Sequence, residues 1–281
     1  MSFTKFYRPQ NVIPKIIRTA QNTIFNLSWI NSVYLKVLVP VTLLVLWEVA
    51  CREGFLKPLI LPAPTAIAKA FVVQIESGDL FRDIGISLLR IIQGYAIGAF
   101  FGLTIGILIG IFKRIDQATS VVLSFLRPIP IFAWLPVIIL WLGIDEITKV
   151  IIIALGCFWP ILLNVIAGIK NVDKKYLEVA RILEKNRYQT LIKVVFPSAL
   201  PSIFTGLRIG IGMAWMCVVA AEMIAATSGI GFLISYSREM LQPDVMFVGV
   251  FSIGIVGLII DRIFKLLEQH FIKWNANMKR Q

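Results

Sequence analysis

Charge is scarce in this chain. Asp, Glu, Lys and Arg together make up 16% of its 281 residues, where an average soluble domain carries roughly 25%. Histidine occurs once, at His270, and cysteine three times, as Cys51, Cys157 and Cys217, with no metal-ligand spacing. A zinc-type centre is thereby excluded, and a Ser-His or Cys-His nucleophile would have only the imidazole of a basic tail to recruit. No glycine is followed by lysine, so a phosphate-cradling GxxxxGK[ST] loop is missing and the chain does not bind ATP in the P-loop manner. The N-terminus carries Lys5, Arg8, Lys15 and Arg18 and no compact apolar core before Val33, so it does not read as a cleaved secretory signal. Cys51 follows Glu48-Val49-Ala50, where the acidic residue spoils a lipoprotein cleavage site, and it reads as a membrane-edge residue.

Apolar residues are what the chain has in excess. They make up 58% of it, at a mean hydropathy of +0.82, and they come in long blocks instead of the short periodic stretches of a globular core. This is the pattern of a membrane protein. The net charge of +12 then points to the anionic face of a bilayer, not to nucleic acid.

A spanning helix needs about 20 mostly apolar residues. Six blocks meet or approach that length: Ser32 to Ala50, Ser87 to Phe112, Ala118 to Leu142, Thr148 to Ile169, Ser202 to Ala225 and Val245 to Leu266. The expected fold is all-α, a polytopic bundle of about six transmembrane helices. The third block contains Arg127, Pro128, Pro130 and Pro136 and is predicted to kink. Basic residues accumulate in cytoplasmic connections. They crowd the N-terminal arm, Lys113 and Arg114, the stretch from Lys170 to Lys193 and the C-terminal end, while Arg52, Lys57, Lys69, Arg82 and Arg238 are the few on the other side. Both termini are therefore expected in the cytoplasm of a cell bounded by this membrane. The organisation reads as an interfacial arm over residues 1–31, a membrane domain over 32–268 with an inner segment at 170–200, and a basic tail over 269–281. Within the arm, Val12 to Trp29 suits a helix lying at the interface or a solvated tail.

Gly94, Gly98, Gly102, Gly106 and Gly110 recur at every fourth position. They place a narrow seam along one side of the second block, where another helix can approach closely. The fifth block begins similarly with Gly206, Gly210 and Ala214.

The inner segment from Lys170 to Arg208 is the informative one. Asp173 is placed to cap a helix whose Tyr176, Val179, Ala180 and Leu183 share one side. Lys174, Glu178, Arg181 and Lys185 lie opposite, with short-range pairs Lys174–Glu178 and Glu178–Arg181. A short amphipathic helix, ended before Pro197 and Pro201, is expected. On these grounds alone it is either an interfacial anchor or a docking helix for a partner protein.

Glu178-Val179-Ala180, with Phe196-Pro197 and the run ALPSIFTGLR from Ala199 to Arg208, resembles the EAA loop of permease subunits of bacterial binding-protein-dependent ABC importers. Val179 stands where that family has its middle alanine, and Glu184 where it usually has glycine. The tracts LPAPTAI from Leu61, SLLRIIQGYAIGAFFGLTIGILIG from Ser87, RPIPIFAWLPVIILWLGI from Arg127, AAEMIAATSGIGFLI from Ala220 and PDVMFVGVFSIGIVGLIIDRI from Pro243 are similar to the nitrate, sulfonate, taurine and bicarbonate branch. The tract from Ala220 looks a little more like the taurine and sulfonate permeases.

The resemblance implies a type I, MetI-like permease in the bacterial inner membrane. It also implies a coupling surface formed by Tyr176, Glu178, Val179, Ala180, Leu183 and Glu184, with Pro197, Pro201 and Gly206 as structural residues of the loop. This chain would be non-catalytic and bind no cofactor, with ATP and Mg held by separate ATPase subunits. Its partners would be those ATPases, a second permease copy, an extracytoplasmic solute-binding protein and membrane lipid, with no nucleic acid. Charged residues in the spans are costly. The charges near or within the spans are Arg90, Arg127, Arg208 and Glu222. Arg127 and Arg208 are pathway candidates that could attract a small anion, or structural ion-pair partners; Glu222, towards the outer end, would repel an anion and enters the pathway only as a gate, or is a packing contact. Arg208 is expected about 10 Å into a helix starting near Ser202. An ion-driven carrier and a membrane-embedded enzyme are the rivals; the chain has neither an inverted repeat nor a convergent nucleophile, acid pair or metal cluster.

Overall fold

The computed structural model describes residues 37–272 and is helical throughout, with no strand among the described residues. The arm from Val12 to Trp29 and the end of the basic tail lie outside them, as does the start of the first apolar block. The chain divides into two units, residues 1–65 and 66–281.

In the first unit, helix α1 covers residues 37–52. Its Glu48 accepts the Thr65 amide at 3.1 Å and the Thr65 hydroxyl at 2.8 Å, and pairs with Arg52 at 2.7 Å. The LPAPT turn thus has a physical reason. Pro64 opens α2 (Pro64–Glu76), where its missing amide costs nothing, and a carboxylate satisfies the next free donor.

The second unit is built on three long helices: α3 (Asp79–Ile111), α6 (Glu146–Lys170) and α9 (Phe196–Ala225). Helix α6 lies between the other two, and its Ile152, Ile153, Cys157, Ile161, Leu162 and Val165 are fully enclosed. The glycine seam of α3 faces it. A Cβ on Gly94 would lie 2.6 Å from Ile153, on Gly102 3.0 Å from Ile161, on Gly106 2.8 Å from Val165 and on Gly110 2.9 Å from Ile169, while at Gly98 it would strike Cys157 and the Ala154 carbonyl. Each glycine meets a residue 59 places further on, so the two helices run parallel in constant register. A four-residue period exceeds 3.6, which gives the seam a right-handed wind. Helix α9 runs antiparallel to α6, with Gly206 against Asn164 and Gly210 against the same Ile161 that meets Gly102.

Four helices are long and apolar enough to cross a bilayer. They are α3, α6, the continuous stretch Arg187–Ala225 and α11 (Pro243–Phe271). A fifth crossing is available if α4 (Lys113–Leu126) and α5 (Ile131–Leu142), bent by 91° at their junction, act together. The kink expected in the third block is therefore a break between two helices at Arg127–Pro130, and Pro136 sits within α5. The first block, Ser32 to Ala50, is described only from residue 37, over α1. Helix α10 (Ile230–Glu239) is too short to span and is buried between α9 and α11.

The inner helix ends before Pro197 as expected, though well ahead of it, and the expectation that a new span starts near Ser202 is corrected. Helix α7 (Lys174–Ile182) ends at once, and α8 (Arg187–Thr190) passes through a widened turn, Leu191–Val195, directly into α9. Pro197 and Pro201 are inside this rod. Proline lacks the amide that would close the next turn and crowds the carbonyl four residues back; the widened turn ahead of Pro197 accommodates both effects. Helix α11 likewise continues past 268 to Phe271.

Candidate functional site

Helix α7 is set by its ends. The Asp173 carboxylate accepts the Lys175 amide at 2.9 Å, capping the first turn. At the other end the Glu184 amide donates to Arg181 at 2.9 Å and the Lys185 amide to Ala180 at 3.0 Å, with Glu184 at φ 51°. This is a Schellman closure, and Glu184 fills the left-handed position that usually belongs to glycine. The Asn186 side chain then accepts the Gln189 amide at 2.8 Å and starts the rod.

Tyr176, Val179, Ile182 and Leu183 are exposed, whereas Ala180 is buried. Between α7 and the start of α9 lies a groove of about 610 Å³, lined by Tyr176, Val179, Ala180, Leu183, Pro197 and Pro201 among others. Leu183 is the residue that ends the helix, and Glu178 lies outside the groove lining. Neither Lys174–Glu178 nor Glu178–Arg181 forms an ion pair among the described residues. Ile182 and Tyr188 add exposed apolar surface that the periodicity had not singled out.

At the opposite end of α9 the structure assembles a buried polar network. Arg90 of α3 forks onto Glu146 of α6 with two bonds of 2.7 Å, donates to Glu222 of α9 at 2.8 Å, and reaches the Ser228 carbonyl at 2.7 Å and its hydroxyl at 3.3 Å. All five donors of the guanidinium are thus used. Glu222, fully enclosed, also accepts the Ser87 hydroxyl at 2.8 Å and the Gly231 amide at 2.9 Å. Asp83 accepts the Gly229 amide at 3.0 Å, Ser87 accepts the Ile230 amide at 3.0 Å, and Lys149 pairs with Glu146 at 2.8 Å. Gly229 has φ 108°, and a Cβ there would lie 2.5 Å from the Glu222 carboxyl. This packing explains the SGIG run, which admits no side chain at Gly229 or Gly231. Glu222, which the sequence left without a partner, is the acceptor at the centre of this network.

Arg208 lies well inside a helix that begins at Arg187, so the 10 Å depth reckoned from Ser202 is superseded. It forks onto Asp261 of α11 at 2.8 and 2.9 Å, with Glu268 at 3.7 Å. Arg127 is exposed at the break between α4 and α5 and lines a groove of about 560 Å³ with Asp116, Ser124 and Pro128. Of the four charges singled out from sequence, Arg90 and Glu222 therefore come together in one network, while Arg127 and Arg208 sit apart from it and from each other. Sequence reasoning missed Asp83, Glu146, Lys149, Ser228 and Asp261; the available signal was that Arg90 and Glu222 each needed a counter-ion inside apolar surroundings.

Comparison with known proteins bears on these features. The family model described as the binding-protein-dependent transport system inner membrane component matches residues 98–273. The chain is 39% identical to SsuC of Bacillus subtilis (strain 168), a permease protein named for aliphatic sulfonates transport, over 84% of this chain and 86% of that protein. It is 32% identical to the taurine transport system permease protein TauC of Escherichia coli (strain K12), over 85% and 88% of the two chains. It is 35% identical to the nitrate import permease protein NrtB of Synechocystis sp., over 80% and 84%. Among solved structures, the fold is similar to a chain of the inward-facing MetNI methionine ABC transporter at TM-score 0.54, 17% identity, covering 69% of this chain and 98% of that one. An amino acid ABC transporter crystallised with histidines is similar at TM-score 0.54, 19% identity, covering 72% and 97%.

Proposed function

The chain belongs to the binding-protein-dependent transport system inner membrane component family, as an ABC importer permease of the sulfonate, taurine, nitrate and bicarbonate branch, and we propose that it moves taurine or an aliphatic sulfonate into the cell. It is a transport component, not a catalyst. In this reading the energy comes from ATP and Mg on separate ATPase subunits. A second permease copy completes the pathway, and an extracytoplasmic solute-binding protein delivers the solute. Both termini lie on the cytoplasmic side, which the distribution of basic residues favours.

One observation carries the reading. Helix α7 and its capping residue offer exposed Tyr176, Val179 and Leu183 along a groove of about 610 Å³, with exposed Ile182 outside its lining, on the segment richest in Lys and Arg. An apolar surface bordered by Lys185 and Lys193 suits an amphipathic partner surface of the helix-in-groove kind. ATP-driven closure of the motors would draw two such segments together, and the stiff α9 would carry the movement into the membrane. Arg127 is favoured for the anion pathway. Broken backbone at membrane depth is tolerated only where protein or water covers it, and the break carries an exposed guanidinium. The sulfonate preference is supported by the 39% identity to SsuC.

The test is reconstitution of the permease with its co-encoded ATPase and receptor in proteoliposomes. Solute uptake is expected to stop when the ATP site of the motor is inactivated; uptake that persists under an ion gradient alone would establish the carrier instead. Affinity of the co-encoded receptor for taurine and alkanesulfonates, compared with nitrate and bicarbonate, decides the solute.

A further inference from the structure

The network around Arg90 spans the surface and the interior. The Glu146 side chain is 65% exposed while that of Glu222 is fully buried, and one guanidinium holds both. Glu222 sits three residues from the end of a continuous helix of 39 residues, roughly 58 Å long at 1.5 Å per residue, whose other end borders the groove beside α7. Around the short connection from Ala226 to Gly229, successive amides at Gly229, Ile230 and Gly231 are taken by Asp83, Ser87 and Glu222, and the Ser228 carbonyl by Arg90. The connection and the start of α10 are thus tied by hydrogen bonds to side chains of α3 and α9, with Thr227 exposed beside them.

Resting on the importer reading, we propose that Arg90 is a positioning residue for coupling. It joins a solvent-facing carboxylate, Glu146, to the remote end of α9, so that the receptor docking on that face is felt at the α7 groove. Only a planar, five-donor group does this. A lysine keeps the charge but has three donors and no fork, so it cannot hold Glu146, Glu222 and Ser228 together. The buried Glu222 fixes the end of the rod, and the exposed Glu146 is the part a docking protein reaches.

The experiment uses the full complex of permease, ATPase and receptor in nanodiscs and reads ATP hydrolysis with and without solute-loaded receptor. For Arg90→Lys and Glu146→Ala the assembled complex is expected to keep its basal hydrolysis within about twofold and to lose receptor stimulation by about tenfold. A merely structural role would lower yield or basal rate and leave the ratio of stimulated to basal hydrolysis unchanged, and that result overturns the proposal. Should Arg90→Lys fail to assemble, Glu146→Ala decides, because its side chain faces solvent: a normal ratio overturns the proposal and a collapsed ratio supports it. A wild-type complex that ignores its receptor would sink the importer reading and this inference with it. A responsive wild type with two responsive variants sinks the inference alone.

Discussion

The Lys185 amide closes on the Ala180 carbonyl at 3.0 Å, and the residue between them that makes this possible is Glu184, at φ 51°. A left-handed backbone costs a residue with a Cβ roughly 1–2 kcal/mol, while glycine adopts it freely but gains entropy in the unfolded chain. Glu184→Gly is therefore expected to preserve the turn and raise stability by about 0.5–1 kcal/mol. Glu184→Val, β-branched in the same conformation, should lower it by a similar or larger amount. Thermal unfolding of the detergent-purified permease checks the order of the three.

The seam between α3 and α6 makes a graded prediction. A Cβ at Gly98 would overlap Cys157 and the Ala154 carbonyl, at Gly102 it would press on Ile161 at 3.0 Å, and at Gly212 it would meet nothing within 4 Å. Gly98→Ala should cost the most, about 1–3 kcal/mol as for other overpacked cores. Gly102→Ala should cost less and Gly212→Ala nothing measurable. Gly102→Leu, too large for any relaxation of Ile161, should cut the assembled yield. Size-exclusion recovery and unfolding temperature across the series test the ranking.

How much of this was legible in advance follows from chain distance. The glycine period, the Asp173 cap and the amphipathic side of α7 are local patterns, readable within a dozen residues. The Arg90 network was not, because its partners lie 56 residues away at Glu146, 132 at Glu222 and 138 at Ser228. Seen one at a time, a buried Arg and a buried Glu are two costly anomalies; they become intelligible only as a pair, since removing either leaves a buried charge at a cost on the order of 3–5 kcal/mol. The error at Pro197 and Pro201 had a different origin. Proline ordinarily terminates a helix, whereas at the entry of α9 a widened turn admits the ring and the rod continues.

Arg208 and Asp261 join α9 to α11 by two parallel bonds, in partly solvated surroundings with side chains 34% and 55% exposed. Water discounts such a pair, so about 1 kcal/mol of coupling is expected in a double-mutant cycle of Arg208→Ala and Asp261→Ala. Exchanging the charges, Arg208→Asp with Asp261→Arg, should recover part of the loss, since the fork can form in reverse. Glu268, 3.7 Å from Arg208, keeps that recovery incomplete by opposing an acid at 208. Transport rate and unfolding temperature of the six variants, two singles and a double in each set, are the measurements; a swap no better than its worse single change would mean that Arg208 has another partner in the assembled machine.

The proposed coupling surface allows a sharper test than the residue the EAA pattern would nominate. Ala180 is 2% exposed and Val179 is 53% exposed, so a charge at 180 breaks the permease itself, whereas a charge at 179 meets only what docks there. Ala180→Asp is expected to destabilise α7 by burying an unpaired carboxylate, and its loss of activity would not distinguish docking from misfolding. Val179→Asp should leave the unfolding temperature and membrane insertion of the isolated permease as they are. In the same variant, co-purification of the ATPase should fall at least tenfold, because an apolar docking contact would have to desolvate a carboxylate. Pull-down of the ATPase by Val179→Asp at wild-type level would show that the exposed side of α7 is not where the motor binds, whatever happens at Ala180.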